Sequence, residues 1–237
     1  MVQCGRRAYG GAVTTEPREL AAAAVAYAKP RLRGWLHLVT SPLALASGLV
    51  LIVLAPTAPA TAAAAAYAAT AVVLFSTSAV YHRGRWSPQV EQWLKRLDHA
   101  NIFLLIAGTY TPFAVLALRG DVRVAVLATV WSLAVAGALF RVLWVQAPRW
   151  LYTPMYIGLG WSAAFVVPQL LHGEGVTAFI LMSVGGFCYT AGGVVYALRR
   201  PNPSPRWFGF HEVFHALTVA GFVCQYIAAS FVVYRAA

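Results

Sequence analysis

Apolar runs of about 20 residues recur along the whole chain, each long enough to cross a hydrocarbon core of roughly 30 Å. That repetition constrains the fold more than any motif. In lipid every backbone N–H and C=O must be satisfied within the protein, so such runs fold as helices packed into a bundle. The runs fall at about 36–55, 61–82, 98–118, 122–141, 151–171, 176–198 and 208–234, predicting an all-α, seven-transmembrane-helix bundle over 36–234. Hydrophobic residues make up 60% and charged residues 11% of the 237, with mean hydropathy +0.66, which leaves no room for a separate soluble domain.

Residues 1–35 form a cytoplasmic N-terminal segment with a short Ala-rich helix expected over about 19–28, ended by Pro30. No uninterrupted apolar core follows Arg6-Arg7 before Glu16, so no cleaved secretory or twin-arginine signal is expected. Ser87-Pro88 reads as the N-cap and first residue of a short helix leading into the third span. Arg199-Arg200-Pro201-Asn-Pro203-Ser-Pro205 reads as a stiff, non-helical loop. With the N-terminus inside, inner segments hold 15 of the 18 Lys and Arg residues and outer segments hold Arg119, Arg123 and Arg235. The positive-inside rule therefore predicts a cytoplasmic N-terminus and an outer C-terminus. The net charge of +11 sits in short loops between spans and does not indicate nucleic acid. Cys4, Cys188 and Cys224 have no motif spacing, which argues against a disulfide framework or a thiolate metal site.

Against this apolar background the ionisable residues stand out. His211 and His215 open the seventh span four residues apart, one above the other on a single helix face. With Glu212 they spell H-E-x-x-H, the helix-borne zinc pair of metalloproteases with the glutamate as base. Topology brings further groups to the same depth. His82 ends the second span and Asp98 opens the third, both on the inner side. Polar groups there are costly unless they pair, line a cavity or bind an ion. Three imidazoles with an open fourth position is the arrangement of a catalytic zinc site. A protease would need more acidic ligation from another helix, whereas the chain offers His82 as third ligand and Asp98 as candidate base.

Blander readings stand beside these. His82 alone reads equally as an interfacial histidine, and Asp98 could pair with neighbouring Lys95 or Arg96. Ser78 lies one turn from His82 on the same face and could orient a water, or could bond its own backbone. His99 points about 100° away from Asp98, for a supporting role. His37 reads as interfacial, and His172 and Glu174 as residues of an outer loop.

Taken together, several motifs resemble those of the hemolysin III proteins, the bacterial branch of the progestin and adipoQ receptor superfamily. They are Ser78-x-x-x-His82 within Val80-Tyr81-His82, the following Leu97-Asp98, and Phe208-Gly-Phe-His211-Glu-Val-Phe-His215. Lys29-Pro-Arg-Leu-Arg-Gly-Trp35-Leu-His37 is similar to the family's basic approach to the first span, and Gly108-Thr-Tyr-Thr-Pro112 to its third-span signature. The resemblance runs from about residue 29 to the C-terminus. It implies a multi-pass protein of the plasma (inner) membrane with Zn2+ on His82, His211 and His215, and with Asp98 and Ser78 at the family's aspartate and serine positions. Adiponectin receptors and alkaline ceramidases are similar in this site and hydrolyse the amide of ceramide. The expectation that follows is a zinc-dependent amidohydrolase with a membrane lipid as substrate or ligand, Asp98 as base and Ser78 orienting water or oxyanion. The competing expectations are a membrane sensor or a pore-forming hemolysin with a structural zinc. His99 after the aspartate departs from the eukaryotic receptors.

Overall fold

The computed structural model describes residues 30–162 and 167–236, with side chains of 167–175 excluded. The N-terminal helix expected over 19–28 lies outside the described residues. Seven helices are present among the described residues: α1 Trp35–Val53, α2 Ala58–Arg83, α3 Pro88–Ala117, α4 Gly120–Leu143, α5 Arg149–Trp161, α6 Val167–Leu198 and α7 Phe210–Tyr234. All but α5, which has 13 residues, contain a stretch long and apolar enough to cross a membrane. The chain is thus an all-helical, multi-pass membrane protein.

Helix starts follow local chemistry. Thr57 caps α2 by accepting from Ala60 N, and Ser87 caps α3 by accepting from Val90 N, each with a proline in the first turn. The short helix expected at Pro88 does not stop before the third span. It runs into it as one 30-residue helix, because nothing between Pro88 and Asp98 interrupts the hydrogen-bond ladder. A second boundary differs as well. The fifth span was expected over 151–171 and an outer loop around His172 and Glu174. Instead α5 ends at Trp161 and α6 already begins at Val167, so positions 172–175 are helical backbone. Gly173 and Gly175 each cost a helix only about 1 kcal/mol, which a 32-residue helix absorbs.

Neighbouring helices in sequence pack side by side, and α3 also contacts α5, α6 and α7, which places it at the centre of the bundle. Each helix buries a stripe. On α1 it is His37, Thr40, Ala44, Gly48 and Leu51, at helical spacing, while Leu43, Leu49 and Val53 face outward. The stripe of α2 passes through Tyr67, Ala71, Leu74 and Ser78 to His82. That of α7 passes from His211 and His215 through Thr218 and Phe222 to Ala229 and Val233. Most of the core is apolar, built around Tyr67, Phe75, Phe113 and Phe222. One end of the bundle carries the histidines.

Two features fix that histidine end. The loop before α7 is non-helical, as its prolines require, and pairs with the segment before α1 through Arg31 N to Arg206 O (3.1 Å) and Leu32 N to Trp207 O (3.2 Å). Gly34 caps α1 at φ +80°, and a Cβ there would lie 2.6 Å from His82 Cβ. Only glycine allows both the left-handed turn and this close approach of α1 to α2.

Candidate metal centre

Three helix ends meet at one end of the bundle. His82 closes α2, Asp98 lies on α3 ten residues after its start, and His211 and His215 lie in the first two turns of α7. All four are at most 9% exposed. His82 Nε2 is 3.2 Å from His211 Nε2, and the candidate ligand atoms of His82, His211 and His215 lie within 4.8 Å of one another. With Zn–N bonds of about 2.0–2.1 Å, two imidazoles on one tetrahedral ion have their nitrogens roughly 3.3 Å apart. The donor set and spacing therefore fit a divalent zinc-like ion. Asp98 Oδ2 is 3.7 Å from His82 Nε2. Ser78 is buried one turn from His82 and faces Asp98, without a hydrogen bond of ordinary geometry. The ion pair of Asp98 with Lys95 or Arg96 does not form; Arg96 instead lies over the Trp93 ring at 4.9 Å.

Glu212 is engaged elsewhere. Its Oε1 accepts a hydrogen bond from Arg33 Nε and its Oε2 accepts from Gly209 N at 2.8 Å, so it caps α7 and ties that helix to the segment before α1. Both oxygens are occupied, and the side chain is 1% exposed. The glutamate of H-E-x-x-H is a structural anchor here.

His37 is not interfacial. It is 2% exposed, and its ring stacks on His215 at 3.7 Å between centroids with 10° between planes. Neither of its nitrogens has a hydrogen-bond partner among the described residues. Such groups cost about 1–3 kcal/mol each when buried unpaired. The stack fixes the plane of the His215 ring, so α1 shapes the site as well as α2, α3 and α7. The signal available in the sequence was the three-residue spacing from Gly34, which puts His37 on the face that approaches α2. His99 does hold a supporting position: its Nδ1 is 2.8 Å from Arg141 Nη2, and Tyr196 Oη is 3.3 Å from its Nε2.

Two cavities adjoin the cluster. An apolar one of 130 Å3 runs between α3, α5, α6 and α7, with Ser78, Asp98, His215, Ile102, Ile106 and Tyr189 among its walls. A polar one of 910 Å3 lies among the loops on the side of Arg33, Lys95, Arg149 and Arg199. His99, Tyr152, Tyr196 and His211 border both.

Fold and site together define a class: helical membrane proteins with a buried three-histidine centre at one end of the bundle. Comparison with known proteins makes this specific. The haemolysin-III-related family model matches residues 25–226, and the chain belongs to that family. Hemolysin-3 of Bacillus cereus is 31% identical over 162 residues, covering 68% of this chain and 69% of that one. The Hemolysin-3 homolog of Bacillus subtilis (strain 168) is 31% identical over 139 residues, 58% of this chain and 62% of its own. Progestin and adipoQ receptor-like protein 1 of Caenorhabditis elegans is 26% identical over 177 residues, 67% of this chain and 41% of its own length, linking the chain to that wider group.

Proposed function

We propose that the protein is a zinc-dependent hydrolase of a ceramide-like lipid amide, working at the cytoplasmic boundary of the plasma (inner) membrane. The observation that carries this reading is Asp98, a carboxylate 3.7 Å from His82, on the wall of an apolar cavity that also borders His211 and His215. His82, His211 and His215 would hold the ion, which when bound polarises a carbonyl and lowers the pKa of water. Asp98 takes a proton from the attacking water as it adds to the amide carbon. It returns that proton to the nitrogen as the C–N bond breaks, giving a carboxylic acid and an amine. Ser78 donates a hydrogen bond that orients the water or the carbonyl oxygen. The acyl chain lies in the apolar cavity, reached sideways from the inner leaflet.

The reading takes α5 as the seventh crossing. Its 13 residues span about 20 Å at 1.5 Å per residue, so it spans less of the bilayer than its neighbours. Seven crossings put the N-terminus in the cytoplasm and the C-terminus outside, in keeping with the distribution of Lys and Arg.

Metal analysis of the purified protein tests the first half: about one zinc per chain is expected in wild type and almost none in His215→Ala. A screen of lipid amides with the zinc-loaded protein tests the second. Stoichiometric zinc with no fatty acid released from any amide would sink the hydrolase and leave a structural ion. The names of the Bacillus relatives carry a second reading, a lytic protein. Leakage of dye from liposomes containing the purified protein would support it; tight liposomes would remove it.

A further inference from the structure

Arg141 is the largest fully buried side chain described, at 0% exposure. Its Nη1 donates to Trp144 O (3.0 Å) and its Nη2 to Val145 O (3.1 Å), and Nη2 also lies 2.8 Å from His99 Nδ1. Its Nε is buried with no partner. These contacts satisfy donors but leave the charge: neither ion pair found among the described residues includes Arg141. A buried cation without a counter-ion is strongly unfavourable in a protein interior. The preference for basic inner loops explains exposed Lys95 and Arg199, but not a guanidinium carried inside.

The polar cavity beside the cluster has five cations on its wall, Arg33, Lys95, Arg141, Arg149 and Arg199, against one carboxylate, Glu91. Glu212 takes Arg33. The guanidinium of Arg141 lies over Tyr152 (4.1 Å) and that of Arg149 over Tyr196 (4.4 Å), and the two tyrosine hydroxyls are 3.4 Å apart. Two tyrosines in hydroxyl contact on the cavity wall thus each carry one arginine. The same two tyrosines, with His99 and His211, form the partition shared with the apolar cavity.

We infer that this basic vestibule is a binding site for an oxyanion, phosphate or carboxylate, carried as the headgroup of a single-chain lipid whose tail occupies the apolar cavity. Arg141 and Arg149 supply the charge, and Lys95 at the rim draws the anion in. The polar junction of such a lipid then lies at the partition, beside His211 and Asp98. This rests on the hydrolase reading for what happens at that junction, but not for binding.

The test uses chelator-treated protein in nanodiscs of neutral lipid, with empty nanodiscs subtracted, and reads binding by calorimetry. Dodecyl phosphate below its micelle concentration is the probe, compared with dodecanol and inorganic phosphate. Dodecyl phosphate is expected to bind at least about tenfold tighter than dodecanol, and to weaken about tenfold in Arg149→Gln and about threefold in Lys95→Gln. Raising salt should weaken dodecyl phosphate and leave dodecanol unchanged, a readout that needs no variant. Inorganic phosphate matching dodecyl phosphate would support the oxyanion site and assign it to free phosphate. Equal affinity for dodecyl phosphate and dodecanol, or binding indifferent to salt, would overturn the proposal. Amide turnover is not read, so this site and the hydrolase can fail independently.

Discussion

Two buried carboxylates at the histidine end of the bundle have opposite surroundings. Glu212 is closed: one oxygen holds Arg33 and the other caps α7 through Gly209 N. Asp98 is open: its nearest ionisable neighbour is His82 at 3.7 Å, and it faces a cavity beside Ser78. A carboxylate whose lone pairs are already committed cannot accept a proton without breaking the fold around it. One held near a ligand histidine but facing free volume can. The residue that the local motif nominates as base is thus committed to the fold, and the base proposed here lies outside the motif.

The comparison can be broken most decisively at Asp98. Asp98→Asn keeps the shape and removes the proton acceptor, so amide hydrolysis should fall by about 10²–10⁴-fold with zinc content and melting temperature retained. Hydrolysis at the wild-type rate would take the base role from Asp98. The next largest effect is expected at Glu212. Glu212→Ala strands a partly buried Arg33 and uncaps α7, and should cost about 3 kcal/mol of stability, read by denaturation in detergent. Zinc content should fall with it, because His211 and His215 ride on the uncapped turn. Glu212→Gln keeps an acceptor for Gly209 N and should lose less. If it instead abolished hydrolysis while melting normally, the protease-like role would return. The smallest effect is expected from Ser87→Ala, which removes the cap of the helix carrying Asp98. About 1 kcal/mol of stability should be lost, with hydrolysis within about twofold of wild type, since Asp98 lies three turns inside α3.

Much of the site was legible without coordinates because it rests on helical periodicity and depth. Residues four apart share a face, so His211 with His215 and Ser78 with His82 had to be aligned, and the ends of the spans set all of them at one level. What periodicity omits is azimuth. Apart from its spacing from Gly34, nothing in the first span says which neighbour His37 faces; it turns inward because Gly34 lets α1 touch α2 at His82. Arg141 was counted among the inner basic residues for the same reason. Its burial depends on α5 supplying Tyr152 and on α3 supplying His99, both far away in sequence. The boundary between α5 and α6 was misplaced because apolar runs alone do not show where one helix ends and the next begins; His172 and Glu174 lie on helical backbone.

By itself the sequence determined an all-helical membrane bundle and the three histidines with Asp98, since apolar length and helical spacing are properties of a single strand of chain. Only the tertiary structure decided which buried acid is spent on architecture, that a fourth imidazole stacks on His215, and that a guanidinium with no counter-ion among the described residues walls the polar cavity. Those are facts about which faces of different helices meet. Packing, with its requirement that buried polar atoms find partners, settles that pairing.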